Sequence, residues 1–318
     1  DRRTGTGGAG AGSEDRGADE AVNINLAIAE RARAGELLTA AEIDELAASD
    51  VLSLGMLADE VRRARLGDEV TFIRVLELQG PQGPQGALAA PGATGAEIRL
   101  GALPASLEET EGLIDEARMI AGPQLLTGFS LADIVDRNWG EVVDVLRRLK
   151  RAGLDAIVEA PVDRIADIAP LKAAQDAGLP VRCLSLQQPV DRRRTEYVMT
   201  VRSIVRALPT LHTVAPLPRQ QAIAVPTTGY DDVRSVALAR LGLPMVKNIQ
   251  VDWFQYGPKL AQVALAFGAN DLDRVSTVDD ESLGRRRTSV EDVRRNITAA
   301  GFTPVEVSAG GSEDPPLR

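Results

Sequence analysis

This chain of 318 residues has little that binds a metal: its only cysteine is Cys183 and its only histidine is His212. A single cysteine excludes an intrachain disulfide. Iron–sulfur clusters and structural zinc ions are held by three or four thiolate or imidazole ligands, and one of each is too few. We therefore expect no metal site. Cys183 and His212 themselves are more typical of core residues than of catalytic ones.

Long apolar runs and an excess of basic residues are also missing. No stretch approaches the roughly 18 apolar residues of a membrane helix, and residues 1–20 lack the apolar core of a signal peptide. The 46 acidic residues outnumber the 36 basic ones, for a formal net charge of -10. An acidic surface argues against nucleic acid and anionic membranes as partners. We expect a cytoplasmic protein without a membrane span.

The chain divides by composition into four segments. Residues 1–21 are rich in glycine, aspartate and arginine and predict a disordered tail. Residues 22–69 have apolar residues at helical spacing and predict a helical segment with Thr39 and Ser53 as N-caps. Residues 70–308 carry the main domain, and residues 309–318 predict a flexible C-terminal tail.

The main domain repeats one pattern, in which a short apolar stretch precedes a longer amphipathic one. The first stretch, EVTFIRVLEL, predicts a strand, and about seven similar units follow it. Repeated strand–helix alternation predicts a parallel sheet with helical crossovers. About eight units match a (β/α)8 TIM-type barrel, with an open doubly wound sheet as the alternative. Residues 79–95, QGPQGPQGALAAPGATG, hold too much glycine and proline for a regular element and predict a loop.

Two stretches carry a resemblance to a known family. The stretch ERARAGELLTAAEIDELAASDVLSLGMLADEVRRARLGDEVTFIR, residues 30–74, leads through the helical segment into the first strand. The stretch PTTGYDDVRSVALARLGLPMVKNIQVDWFQYGPKLAQVALAFGANDLD spans residues 226–273. Both resemble radical SAM enzymes of the futalosine pathway to menaquinone, the family of aminofutalosine synthase and dehypoxanthine futalosine cyclase. The resemblance implies a radical SAM barrel with an N-terminal helical extension.

The chain departs from this family at its cofactor site. In the family, the loop after the first strand carries a Cys-x3-Cys-x2-Cys motif that holds a [4Fe–4S] cluster, and here residues 79–95 contain no cysteine. The turn at Gly101–Pro104 is a partial match to the family's SAM-binding turn. The family's Y-G-H-x-E-T segment is replaced by LSLQQPVDRRR. We expect no cofactor and no iron–sulfur cluster, and SAM binding stays open at this point.

Polar residues near the predicted strand ends form the candidate site, because barrel enzymes act at the carboxyl ends of their strands. Glu159 is the candidate catalytic residue, as a general base if it is buried. One interpretation of the charged residues is a set of internal ion pairs, and the other is a pocket with Arg74 or Arg99 on an anionic ligand. The candidate ligand-binding residues are Arg74, Glu77, Arg99, Thr127, Gln187, Gln188, Arg219, Asp252 and Trp253.

Three hypotheses about function follow. The first is a cluster-less radical SAM homologue in menaquinone biosynthesis, a pseudoenzyme that binds a ligand or a partner. The second is a repurposed barrel enzyme of the lyase or isomerase type that acts without a metal on a small anionic metabolite. The third is an interaction module for an active radical SAM partner. The expected partner is therefore a small molecule or another protein of the menaquinone pathway.

Overall fold

A computed structural model describes residues 23–78, 97–190, 193–219, 227–277 and 289–307. Within these ranges, the strands form one parallel sheet around which the helices pack. The strands are β1 (Glu69–Leu78), β2 (Glu97–Leu100), β3 (Leu126–Ser130), β4 (Ala156–Pro161), β5 (Leu184–Leu186), β6 (Thr213–Pro218), β7 (Asn248–Asp252), β8 (Asp271–Ser276) and β9 (Thr303–Glu306).

The helices alternate with these strands after an N-terminal group of three. They are α1 (Leu26–Arg33), α2 (Ala40–Ala48), α3 (Val51–Leu66), α4 (Leu107–Ala121), α5 (Leu131–Asp136), α6 (Val142–Ala152), α7 (Ala169–Ala177), α8 (Arg194–Ala207), α9 (Gly229–Gly242), α10 (Trp253–Leu265) and α11 (Val290–Ala299). Helix α10 is interrupted at Gly257, which has a φ of 71° and precedes Pro258.

The first eight strands close into a barrel, which confirms the predicted (β/α)8 fold. They run from β2 to β8 in sequence order, and β1 pairs with both β8 and β2. All these pairings are parallel; Val75 of β1 lies opposite Glu97 of β2, and Thr71 of β1 lies opposite Asp271 of β8. Parallel strands with helical crossovers are covered on their outer face, and β2 and β3 are buried at every position.

A ninth strand, which the sequence pattern did not predict, pairs with the first half of β1. Glu69 to Phe72 lie opposite Thr303 to Glu306 of β9. Strand β2 pairs only with Val75 to Leu78 on that edge of β1. The edge of β1 before Val75 is therefore free for another strand, and β9 satisfies its backbone groups there.

The three N-terminal helices begin at capping residues. Thr39 caps α2 in a capping box with Glu42, as predicted. The prediction of Ser53 as an N-cap was wrong, because Asp50 caps α3 and its carboxylate accepts hydrogen bonds from both the backbone N–H and the hydroxyl of Ser53. A carboxylate at the start of a helix also interacts favourably with the helix dipole.

Arginines on the barrel helices hold these N-terminal helices in place. Arg202 of α8 donates to the carbonyl oxygens of Leu38 and Gly242, each at 2.7 Å. Arg234 of α9 donates to the carbonyls of Ala47 and Ser49 at 2.8 and 2.7 Å. Charge-assisted hydrogen bonds of this kind satisfy the unpaired carbonyls near helix ends. The N-terminal segment is thus bonded to the barrel through its backbone.

Arg240 of α9 also donates to backbone carbonyl oxygens, in this case inside the protein. It is fully buried and donates to the carbonyls of Gly268 and Lys247 at 2.8 and 3.2 Å, and also to the side chain of Asn270. Burial, with the nearby Arg65 and Arg62, lowers the pKa of Arg240 well below its usual value. Carbonyl oxygens compensate for the lost hydration of the guanidinium group.

Some predicted segments lie outside the described residues: the 1–21 tail, the 79–95 loop and the 309–318 tail. The helices of the described ranges are all too short or too polar to cross a lipid bilayer.

Two glycine substitutions test the helix packing. Gly242 of α9 has no room for a side chain, because an added Cβ would lie 2.5 Å from Cγ1 of Val198 on α8. We expect Gly242→Ala to lower the free energy of unfolding by about 1 to 3 kcal/mol through overpacking. Urea unfolding measures this loss.

The matched control is Gly112→Ala on the exposed face of α4, where an added Cβ meets nothing within 4 Å. This change should raise stability by about 0.5 to 1 kcal/mol, because alanine loses less backbone entropy in a helix than glycine. Equal effects of the two substitutions would contradict the close α8–α9 packing.

Candidate functional site

A buried carboxylate, Asp273 of β8, lies between two arginines inside the barrel. Arg99 of β2 donates to both of its oxygens, at 3.1 and 2.8 Å. Arg219, which follows β6, donates to Oδ2 at 3.0 Å. Asp273 and Arg99 are almost fully buried. The bidentate geometry with Arg99 is the strongest form of carboxylate–guanidinium contact.

Glu97 extends this arrangement along β2. Its Oε1 accepts hydrogen bonds from Arg99 Nε at 2.7 Å and from the Thr127 hydroxyl at 2.6 Å. Its Oε2 lies 3.6 Å from Nε of Arg182. Glu97 is completely buried; the first two donors satisfy Oε1, whereas Oε2 has no hydrogen-bond partner among the described residues and only the nearby charge of Arg182 to compensate its burial. Strands β2, β3 and β8 are thereby linked through side chains.

Arg219 is the second connection point. Besides Asp273, it donates to the side-chain oxygen of Gln250 and lies 3.9 Å from the sulfur of Cys183. Its Nε lies 3.7 Å from Glu159 Oε2. Gln250 in turn donates to Asp271 at 2.6 Å. Arg219 therefore connects β4, β7 and β8 with Cys183, the residue before β5.

A second ion network forms around Arg274, the residue after Asp273. Arg274 donates to both oxygens of Glu77 at 2.7 and 3.1 Å, and to Asp252 at 3.0 Å. Arg274 has a φ of 57°, a conformation that non-glycine residues rarely adopt. The β1–β8 register shifts at this point, so that Asp273 and Arg274 together lie opposite Ile73. This bulge lets two consecutive residues serve two separate networks.

The surroundings shift the pKa values of the two β8 aspartates, the partly buried Asp271 and the buried Asp273, in opposite directions. Burial alone would raise the pKa of Asp273, but Arg99 and Arg219 outweigh it and hold that pKa well below its usual range. Burial raises the pKa of Asp271, where only hydrogen bonds from Thr71 and Gln250 oppose it strongly. Asp273 is therefore a firmly ionised carboxylate, and charged partners explain the difference.

The structure brings six of the predicted site residues into these two networks. Their contacts there are ion pairs and hydrogen bonds with other side chains of the interior. They are Glu77, Arg99, Thr127, Glu159, Arg219 and Asp252.

The other four predicted residues lie elsewhere. Arg74 pairs with Glu306 of β9. Trp253 is a fully buried core residue at the start of α10. The backbone N–H groups of Gln187 and Gln188 both donate to the carboxylate of Asp163, at 2.9 to 3.0 Å.

Sequence reasoning missed the two central carboxylates, Asp273 and Glu97, and the bulge residue Arg274. A signal was present, since Asp271 and Asp273 stand at alternate positions of a predicted strand. Alternate residues of a strand lie on the same face, and acidic residues on a buried face require cationic partners. The partners themselves lie 174 and 54 residues away along the chain.

The residues present do not fit a [4Fe–4S] cluster. Cys183 is the only thiol of the chain. It is buried, it donates to the carbonyl of Leu184 at 3.4 Å, and burial raises its pKa to about 12. Iron is bound by the thiolate form. Among the described residues, no group of three His, Cys, Asp or Glu side chains is arranged to hold a metal ion.

Comparison with known proteins identifies relatives over most of the chain. Residues 210–308 match the family model described as the CofH/MqnC C-terminal region. A protein of Archaeoglobus fulgidus is 26% identical over 307 residues, which cover 78% of this chain and 90% of that protein. A protein of Methanopyrus kandleri is 29% identical over 201 residues and 52% of this chain. Both are named 5-amino-6-(D-ribitylamino)uracil–L-tyrosine 4-hydroxyphenyl transferase. The chain spans about half the length of the Methanopyrus kandleri protein, 54%.

Two solved structures share the barrel. The structure of methylornithine synthase matches with a TM-score of 0.65 at 13% identity. The match covers 87% of this chain and 97% of the methylornithine synthase chain. The structure of the [FeFe]-hydrogenase maturase HydG matches with a TM-score of 0.62 at 11% identity. The match covers 88% of this chain and 74% of the HydG chain. At these identities the likeness concerns the fold. Together with the sequence matches, it supports the radical SAM part of the resemblance and not the futalosine pathway specifically.

The functional expectations from the sequence are corrected by these relatives. A pseudoenzyme associated with menaquinone biosynthesis was the wrong prediction, because the relatives are named as a ribitylaminouracil–tyrosine hydroxyphenyl transferase. The two alternatives, a repurposed lyase or isomerase and an interaction module, fall with it.

Substituting Asp273 tests the central network. We expect Asp273→Asn to lower the free energy of unfolding by about 3 to 5 kcal/mol at neutral pH, because two buried guanidinium groups lose their carboxylate. The folded-state pKa of Asp273 is below the unfolded value of about 3.9. Its contribution is therefore complete above about pH 4 and is lost as the pH falls through the folded pKa.

Urea unfolding of both proteins at neutral and acidic pH measures this prediction. The gap between wild type and Asp273→Asn should narrow only below about pH 4. Asp144→Asn is the control, since Asp144 is 70% exposed and pairs with Arg147 on the surface of α6. A gap that disappears already at pH 6 would show that another group carries the stability.

Proposed function

We propose that this chain binds a substrate of the ribitylaminouracil–tyrosine class at the C-terminal face of its barrel. The observation that carries the proposal is the match to the Archaeoglobus fulgidus protein, which extends over 90% of that protein. The proposed ligand is 5-amino-6-(D-ribitylamino)uracil or L-tyrosine, the two molecules in the relatives' name.

The arrangement of charges supports a polar ligand at this face. Arg219 stands just beyond the carboxyl end of β6, and Glu159 stands near that of β4. Their side chains keep 8% and 13% of their surface open to solvent, while Arg219 Nε and Glu159 Oε2 themselves are buried. Ligands of parallel α/β barrels bind at the carboxyl ends of the strands. Asp273 and Arg99 lie deeper and are already paired with each other, so they fix Arg219 rather than meet the ligand.

Ligand titration tests the proposal. Purified protein should be stabilised by 5-amino-6-(D-ribitylamino)uracil or by L-tyrosine in a saturable way, with about 2.7 kcal/mol of stabilisation at 100 times Kd. Differential scanning fluorimetry and calorimetry measure this. Ribitol, which has the polyol without the ring, is the control. If neither named ligand raises Tm nor gives a binding isotherm, the proposal fails.

We also propose that the chain holds no [4Fe–4S] cluster while it binds this ligand. The support is the ligand count, since the chain has one thiol and that thiol is buried and bonded to a carbonyl. Iron–sulfur clusters of this type are held by cysteine thiolates. The residues described here would instead orient the ligand through hydrogen bonds.

Anaerobic reconstitution with iron and sulfide tests this second proposal. After desalting, the wild type should retain no more iron or acid-labile sulfide than Cys183→Ala, because the remaining thiol cannot reach iron as a thiolate. Stoichiometric iron and sulfide in the wild type, lost in Cys183→Ala, would overturn it.

A further inference from the structure

Four polar atoms at neighbouring strand ends have no hydrogen-bond partner among the described residues. They are the hydroxyls of Ser130 and Ser185, Oε2 of Glu159 and Nε of Arg219. Ser130 is 7% exposed, and Ser185 is completely buried. Buried polar groups are almost always paired, so four unpaired atoms in one region require an explanation.

The strand register places these four residues together. Ser130 of β3 lies directly opposite Glu159 of β4. Ser185 of β5 lies opposite Pro161, two residues after Glu159. Pro218 of β6 lies opposite Leu186 of β5, and Arg219 is the next residue after Pro218. The backbone N–H of Arg219 donates to the Leu186 carbonyl at 2.8 Å. The four residues therefore occupy the carboxyl ends of the adjacent strands β3 to β6.

The backbone before Ser130 is strained. Phe129 has a φ of 63°, which costs a non-glycine residue about 1 to 3 kcal/mol. Ser130 also stands at the start of α5 without making a side-chain cap. A strained residue next to a buried hydroxyl without a partner is an arrangement that occurs at ligand sites.

Glu159 and Arg219 define the chemistry that fits. Glu159 Oε2 and Arg219 Nε lie 3.7 Å apart, which is longer than a direct hydrogen bond of 2.7–3.2 Å. One atom accepts and the other donates. A ligand group with an N–H beside a C=O matches both atoms at once. An anionic ligand would be repelled by Glu159, and a cationic one by Arg219.

We infer that the ends of β3 to β6 form a binding site for a cyclic ureide edge, in which Glu159 accepts the ring N–H and Arg219 donates to the ring C=O. The hydroxyls of Ser130 and Ser185 supply further donors and acceptors at the same strand ends. The inference rests on the proposed function and selects the uracil ring, rather than the carboxylate of L-tyrosine, as the group that this site recognises.

Two variants test the site, with 5-amino-6-(D-ribitylamino)uracil as the probe and calorimetry as the measurement. Glu159→Gln should weaken binding about 10-fold or more, because the ring N–H loses a charged acceptor. Ser185→Ala should weaken binding about 5-fold. Removing a hydroxyl that has no partner costs little in the ligand-free protein, so the Tm of Ser185→Ala should not fall.

Glu306→Gln is the matched control. Glu306 of β9 is a partly buried carboxylate that also pairs with arginines, Arg74 and Arg294, but it lies outside the ring of strands. The Glu306→Gln variant should bind the probe with the same binding constant as the wild type. A probe methylated on the ring nitrogens, which cannot donate, should bind the wild type as weakly as the unmethylated probe binds Glu159→Gln.

The outcomes separate the inference from the proposed function. If the wild type binds the probe and both site variants bind it equally well, the ureide site is wrong and the proposed function stands. If the wild type binds neither the probe nor L-tyrosine, both fail. If Glu159→Gln weakens only L-tyrosine, the site recognises the other ligand and the inference is overturned. If Glu159→Gln does not fold, Ser185→Ala and the methylated probe decide.

Discussion

The contact of Asp273 with Arg99 and Arg219 is the constraint on which the barrel interior depends. Removing three charges from water costs several kcal/mol for each ion, and only close pairing in good geometry offsets that cost. Arg99 contacts both carboxylate oxygens, and Arg219 contacts one of them. Strands β2, β6 and β8 must therefore keep their relative positions. The other polar residues of the interior take their places around this contact.

The bulge at Asp273 and Arg274 explains how one strand serves two networks. A regular strand would place consecutive side chains on opposite faces. Here two residues lie opposite Ile73, and Arg274 has a positive φ. Asp273 then contacts its two arginines while Arg274 contacts Glu77 and Asp252. The cost of the strained backbone is offset by two sets of ion pairs.

Arg219 joins the buried network to the proposed ligand site. One side of its guanidinium group is fixed by Asp273 and Gln250. Its Nε points to no partner among the described residues and lies 3.7 Å from Glu159. A donor group whose side chain is already fixed by other hydrogen bonds loses little conformational entropy when a ligand accepts from it. The interior ion pairs and a binding function are thus compatible, because the ion pairs hold Arg219 in position for the ligand.

The sequence by itself determined the repeated strand–helix pattern, and hence the barrel, because side-chain periodicity is a local property. It also determined that one cysteine cannot hold a cluster, which is a matter of counting. Only the tertiary structure decided which charges meet. Arg99 and Asp273 are 174 residues apart, and neither the bulge that aligns them nor the pairing of β9 with β1 has a local signal. Ion pairs across a closed barrel depend on strand register, which the whole sheet sets.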